Sequence, residues 1–164
     1  MTLFVRNKIV LVLYCVIAAT LPQISFAQGN APQTQRASAL SQSVLIMPET
    51  LVHILKSGKN KPLILNVGPQ VIYAQAHIPG AEYVGAGSEP EGIEQLRARV
   101  KSLRHSTAIV LYCGCCPWTH CPNAYPAYAE LHKLGFTNVK VLYIADNFGA
   151  DWVYKGYPTV MEKQ

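Results

Sequence analysis

Charge is scarce in this sequence. Only 14% of its 164 residues are Asp, Glu, Lys or Arg, and no cluster of Lys or Arg occurs along it. A nucleic-acid partner is therefore not expected, because phosphate recognition draws on concentrated positive charge. Part of the formal net charge of +5 sits at the start: without Arg6 and Lys8, 12 basic residues face 9 acidic ones, leaving +3. A bilayer-spanning apolar run is missing too, since Ile9 to Leu21 would cover only about 20 Å as a helix against roughly 30 Å of hydrocarbon. Disorder over most of the length is excluded from the opposite side, because half the residues are apolar. The length admits one domain with a substantial core, not two of ordinary size. Cysteine is also sparse, five in all, yet four of the five fall between residues 113 and 121.

The first 27 residues have the order of a secretory signal: Arg6 and Lys8, then the apolar stretch Ile9 to Leu21, then the small-x-small site Ser25-Phe-Ala27. Cleavage there predicts a mature start at Gln28, export to the periplasm or the exterior, and no stable membrane insertion afterwards. Cys15 leaves with the signal, and Tyr14 before it is too large for a lipoprotein site. Residues 28–43 are polar, with Pro32 and several glutamines, and read as a flexible linker. The folded domain is expected over 44–160, with 161–164 as a tail.

Within 44–160 short apolar runs alternate with helical spacings. Val44 to Met47 reads as a strand, and Pro48 with Leu51, Ile54 and Leu55 as a helix with proline in its first turn. Leu63 to Val67 is a second strand, ended by Gly68-Pro69, and another short strand is placed around Ala81 to Val84 after the Pro79-Gly80 turn. Ile93, Leu96, Val100 and Leu103 mark an amphipathic helix. Thr107 to Tyr112 is a near-continuous apolar strand of the kind buried on both faces. Ala124, Ala127, Tyr128, Leu131 and Leu134 then share a helical face, with Asn123 as N-cap and Gly135 as C-terminal cap. Val139 to Ile144 is a further strand, Phe148 to Tyr154 a short helix, and Gly156-Tyr-Pro158 a closing turn. The alternation implies a single α/β domain, a mainly parallel sheet covered by helices on both faces.

The chemistry is concentrated in Ile109-Val-Leu-Tyr-Cys-Gly-Cys-Cys-Pro-Trp-Thr-His-Cys-Pro-Asn123. A strand that ends at Cys113 ahead of a loop and a helix N-terminus sets the sulfur where backbone N–H groups converge, an environment that favours a thiolate. In parallel sheets ligands bind at the carboxyl ends of the strands, which is the position of Cys113. Cys113 is accordingly the expected nucleophile, the alternative being a buried cysteine that packs as a small hydrophobe. Cys121, just ahead of the helix, is expected to be more thiolate-like than Cys115 or Cys116, and all three are candidate resolving or disulfide partners. Gly114, Trp118 and His120 are the candidate pocket residues. His77 is expected to fix its turn and Trp152 to pack. The spacing also offers soft ligands for Cu(I) at Cys113, Cys115, Cys116 and Cys121, but four thiolates in nine residues strain a zinc site. No cofactor and no metal is assigned. Cys113-Gly-Cys-Cys116 has the Cys-x-x-Cys spacing of thioredoxin-like proteins, yet it follows most of the domain and a loop separates it from the helix, which argues against that fold.

Over 44–160 the chain resembles the rhodanese homology domain. Pro48-Glu-Thr-Leu-Val-His-Ile-Leu resembles the family's first helix, Leu63-Ile-Leu-Asn-Val67 its second strand, His77-Ile-Pro-Gly-Ala81 its signature turn, Ile109-Val-Leu-Tyr-Cys113 the strand carrying the active cysteine, Leu134-Gly-Phe-Thr-Asn-Val139 the join into the next strand, and Trp152 with Gly156-Tyr-Pro158 the closing motif. The resemblance implies a sulfurtransferase in which Cys113 accepts sulfane sulfur as a persulfide that a second thiol attacks. Its partners are then a small sulfur donor and a thiol acceptor or reductant. The cysteine loop is longer than the family's and lacks the arginine of many relatives. Asn66 and Gly68 stand where the family carries aspartate and arginine. Thiosulfate would meet N–H dipoles and His120 in place of a guanidinium. The resemblance therefore implies a sulfane donor without designating thiosulfate.

Overall fold

The computed structural model describes residues 40–161; the signal expected at 1–27 and most of the expected linker lie outside them. The strands are β1 (Leu45–Ile46), β2 (Leu63–Asn66), β3 (Glu82–Tyr83), β4 (Ile109–Tyr112) and β5 (Val139–Leu142). Between them run the helices α1 (Pro48–Ser57), α2 (Gln70–Gln75), α3 (Pro90–Val100) and α4 (Ala124–Lys133). All five strands are parallel, in the order β1-β5-β4-β2-β3. This is the single α/β domain that the alternation implied. Every parallel neighbour requires a crossover, and the chain supplies one between each pair of consecutive strands.

Side chains alternate across the sheet and divide the core in two. From β4 and the residue after it, Ile109, Leu111 and Cys113 enter the cluster that includes Leu96 and Val100 of α3 and Ala124, Ala127 and Leu131 of α4. Val110 and Tyr112 enter the other, with Leu51 and Val52 of α1, Phe148 and Trp152. The period of two along β4 thus aims Cys113 at the α4 face. All four β4 residues are buried, as expected of a central parallel strand. Pro126 sits within the first turn of α4, where an absent N–H costs no intrahelical bond, and Gly135 closes the helix at φ +88°.

Three local features depart from expectation. Helix α2 was not marked by the sequence between Pro69 and His77; it is a six-residue segment without a fully buried residue, so it lacks a strong apolar period. The short helix expected over Phe148 to Tyr154 is present but takes π-helical form at Gly149–Val153, and Trp152 within it is fully buried, donating from Nε1 to the Pro158 carbonyl at 2.8 Å. Leu40, assigned by sequence to the linker, packs into the α3–α4 cluster. His77 does tie its turn: Nδ1 lies 3.0 Å from the Tyr73 carbonyl, and its backbone bridges Val160.

Candidate functional site

Cys113 follows β4 at the carboxyl end of the sheet and is 4% exposed. Gly114 turns the chain sharply at φ +84°, a left-handed value that glycine adopts without strain. Its carbonyl accepts from the Phe148 N–H at 2.9 Å. A Cβ on Gly114 would come within 2.9 Å of Phe148 Cβ, so the turn depends on glycine twice over. This fold-back brings Cys113 Sγ and Cys115 Sγ to 3.2 Å, and Cys115 Sγ to 3.1 Å from Cys116 Sγ. Cys121, 3% exposed, completes the group from the α4 side. All four thiols are free; no disulfide joins them.

Asn123 is the site residue that the sequence assigned a different task. It precedes α4 but its side chain caps no helical N–H. The amide is buried, 3% exposed, and bridges two partners: Oδ1 accepts from Ser88 N at 3.0 Å, and Nδ2 donates to Cys113 Sγ at 3.3 Å. A capping asparagine and a thiol-binding asparagine occupy the same place in the sequence, and only the inward turn of Cys113 separates them.

The electrostatics of the four thiols invert one expectation. Cys121 was expected to gain most from the helix N-terminus. Instead hydrogen bonding with Cys113 and Cys115, and then burial, push its thiol up. The charge settles on Cys115, which is drawn well below the ordinary thiol range by hydrogen bonding from Cys113 and then Cys121. Its sulfur lies between two others and collects their S–H groups, while a first negative charge opposes a second. Cys113 is raised to about 11, chiefly through its hydrogen bond with Cys115, and Cys116 to about 12, chiefly by burial.

A cleft of about 310 Å³ opens beside the turn. Gly114 and Cys115 line it together with Ile72, Ala76, Phe148 and Val153. Trp118 and His120, grouped with Gly114 by sequence, do not line it. The 3-10 turn Trp118–His120 is held by the Trp118 N–H donating to Ile144 O at 2.8 Å, which sets the indole beside Tyr143 with ring centroids 6.2 Å apart. His120 is exposed, with Nδ1 at 2.9 Å from Thr119 Oγ1.

Gly68 accounts for the arginine absent from β2's end. A Cβ there would lie 2.3 Å from the Cys113 carbonyl oxygen, so no side chain fits at this backbone separation. Asn66 Oδ1 accepts from Gly68 N at 3.0 Å and shapes the same crossing. Among the described residues no group of three or more His, Cys, Asp or Glu side chains is arranged to hold a metal ion.

The fold is shared with solved structures. The rhodanese-like domain of an Anabaena sp. protein is 25% identical, with a TM-score of 0.53 over 72% of this chain and 79% of that one. A Bacillus halodurans protein is 23% identical, with a TM-score of 0.57 over 73% and 78%. The polysulfide-sulfur transferase homodimer of Wolinella succinogenes is 19% identical, with a TM-score of 0.55 over 79% and 85%. No curated protein matches the sequence. The family model for the rhodanese-like domain matches residues 47–143. With that match covering more than half of the sequence, and with the parallel sheet delivering Cys113 to its loop, the chain belongs to the rhodanese-like domain family.

Proposed function

We propose that this protein is an exported sulfurtransferase that carries sulfane sulfur as a persulfide on Cys113, resolved by a second thiol of the same loop. The observation that supports this most directly is the Asn123 Nδ2 donor 3.3 Å from Cys113 Sγ, because a hydrogen bond to sulfur stabilises a thiolate or persulfide anion. Cys113 also occupies the carboxyl end of the central strand, the usual ligand edge of a parallel sheet. The same fold carries a polysulfide-sulfur transferase in Wolinella succinogenes. Export rests on the order of Arg6, Lys8, Ile9 to Leu21 and Ser25-Phe-Ala27.

Reduced protein incubated with a sulfane donor should gain ~32 Da, one sulfur atom, and fragmentation should place it on Cys113. Steady-state transfer to a dithiol should fall by at least ~10-fold in Cys113→Ser. Parental turnover in that variant would remove Cys113 from the reaction.

A further inference from the structure

We infer that Cys115 is the thiol that meets the donor, and that it takes sulfur from a low-charge organic persulfide in the cleft and passes it to Cys113. The inference rests on the sulfur-transfer reading above and adds the route and the class of donor. Three observations carry it. Cys113 is 4% exposed and does not line the cleft, whereas the half-buried Cys115 does. The two Sγ atoms are 3.2 Å apart, so an outer sulfur carried by Cys115 is held next to Cys113 and reaches the line between the two Sγ atoms by a rotation of the Cys115 side chain. The cleft walls are Ile72, Ala76, Phe148 and Val153, with Gln75 and Asn147 as polar groups and no Lys, Arg or His among the lining residues. A dianion such as thiosulfate finds no countercharge there and would face a thiolate. An organic persulfide brings an apolar body suited to those walls.

The steps balance without an oxidant or reductant. The Cys115 thiolate attacks the outer sulfur of R–S–SH; the bond between the two donor sulfurs breaks, R–S⁻ leaves, and Cys115 holds –S–SH. Cys113 then attacks that same outer sulfur. Its thiol proton passes to R–S⁻, the bond to Cys115 breaks, and Cys115 departs as a thiolate. The net change is one sulfur atom and one proton exchanged between R–S–SH and Cys113, giving R–SH and Cys113–S–SH. The lowered pKa of Cys115 suits this order, since a thiol of low pKa leaves fastest. Onward transfer from Cys115 to Cys116, 3.1 Å away, is disfavoured because Asn123 stabilises the product on Cys113 alone.

The test uses reduced full-length protein and 2-hydroxyethyl persulfide, with rapid alkylation and fragmentation to locate the added sulfur. The parent should carry it on Cys113, Cys113→Ser on Cys115, and Cys115→Ser should load Cys113 at least ~10-fold more slowly. Thiosulfate should load the parent more slowly than the persulfide by a similar factor. Should Cys115→Ser fold poorly, competitive alkylation of the unmodified parent at pH 5 gives an independent reading, with Cys115 modified before Cys113. Loading of Cys113 at the parental rate in Cys115→Ser, or alkylation of Cys113 first, overturns the route through Cys115 and leaves sulfur transfer standing. Failure of the parent to load from either donor overturns the sulfur-transfer reading itself.

Discussion

Asn123 Nδ2 donates to Cys113 Sγ at 3.3 Å while Oδ1 of the same amide accepts from Ser88 N at 3.0 Å. The second bond fixes the first, because an amide whose oxygen is claimed by a backbone N–H must present its NH₂ group to the sulfur. The segment after β3 therefore orients the group that steadies the cysteine after β4.

Asn123→Asp separates the two halves of that bridge. The carboxylate still accepts from Ser88 N, but an anion replaces the donor facing sulfur. Persulfide formation on Cys113 should slow by about 10- to 100-fold, the equivalent of one charge-assisted hydrogen bond. The rate profile should also move to higher pH, and the melting temperature should change less than in Asn123→Ala, which loses both bonds. A rate profile identical to the parent's would reduce Asn123 to a packing role.

Installing the family's arginine should harm this protein. In Gly68→Arg the new Cβ meets the Cys113 carbonyl at 2.3 Å, and the strand ends must separate. A loss of about 1–3 kcal/mol is expected from such overpacking. A urea titration checks it, and a midpoint equal to the parent's would mean the crossing is looser than the backbone separation implies.

The thiol group sets a pH dependence of stability whose sign follows from the directions of the shifts. Cys113 is raised to about 11 and Cys116 to about 12, so their contributions are complete below the unfolded thiol value near 8.5 and are lost as pH rises toward the folded ones. Cys115 is lowered, so its contribution is present above the unfolded value and is lost only on acidification. Between roughly pH 8.5 and 11 the Cys115 contribution is therefore constant while the others decline. Denaturation midpoints should fall across that window, and fall less steeply in Cys116→Ser. Equal slopes for variant and parent would show that Cys116 ionises as freely in the folded state as in the unfolded chain.

Export predicts a mature start at Gln28. N-terminal sequencing and intact mass of protein from its native cell check this directly. A full-length, membrane-bound product would make Ile9 to Leu21 an anchor.

Much of this domain was legible one residue at a time. The apolar run into Cys113, the helical spacing of Leu96 and Val100, and the Pro126 and Gly135 boundaries of α4 are local patterns, and local patterns survive without tertiary context. The alternation of such segments was enough to give a parallel α/β sheet, because parallel strands require crossovers. The cysteine loop was also evident, since four thiols in nine residues need no structure to be noticed. Which thiol holds the charge was not. That depends on through-space order: the turn at Gly114 folds Cys115 between Cys113 and Cys116, where S–H donors outweigh the helix N-terminus near Cys121. Trp118 and His120 stand outside the cleft beside Gly114 for the same reason, since the Trp118 N–H is tied to the Ile144 carbonyl, 26 residues beyond it. Asn123 shows the division most plainly. Its position before a helix was written in the sequence, but its choice of sulfur over a helical N–H was decided by the packing of two distant strand ends against it.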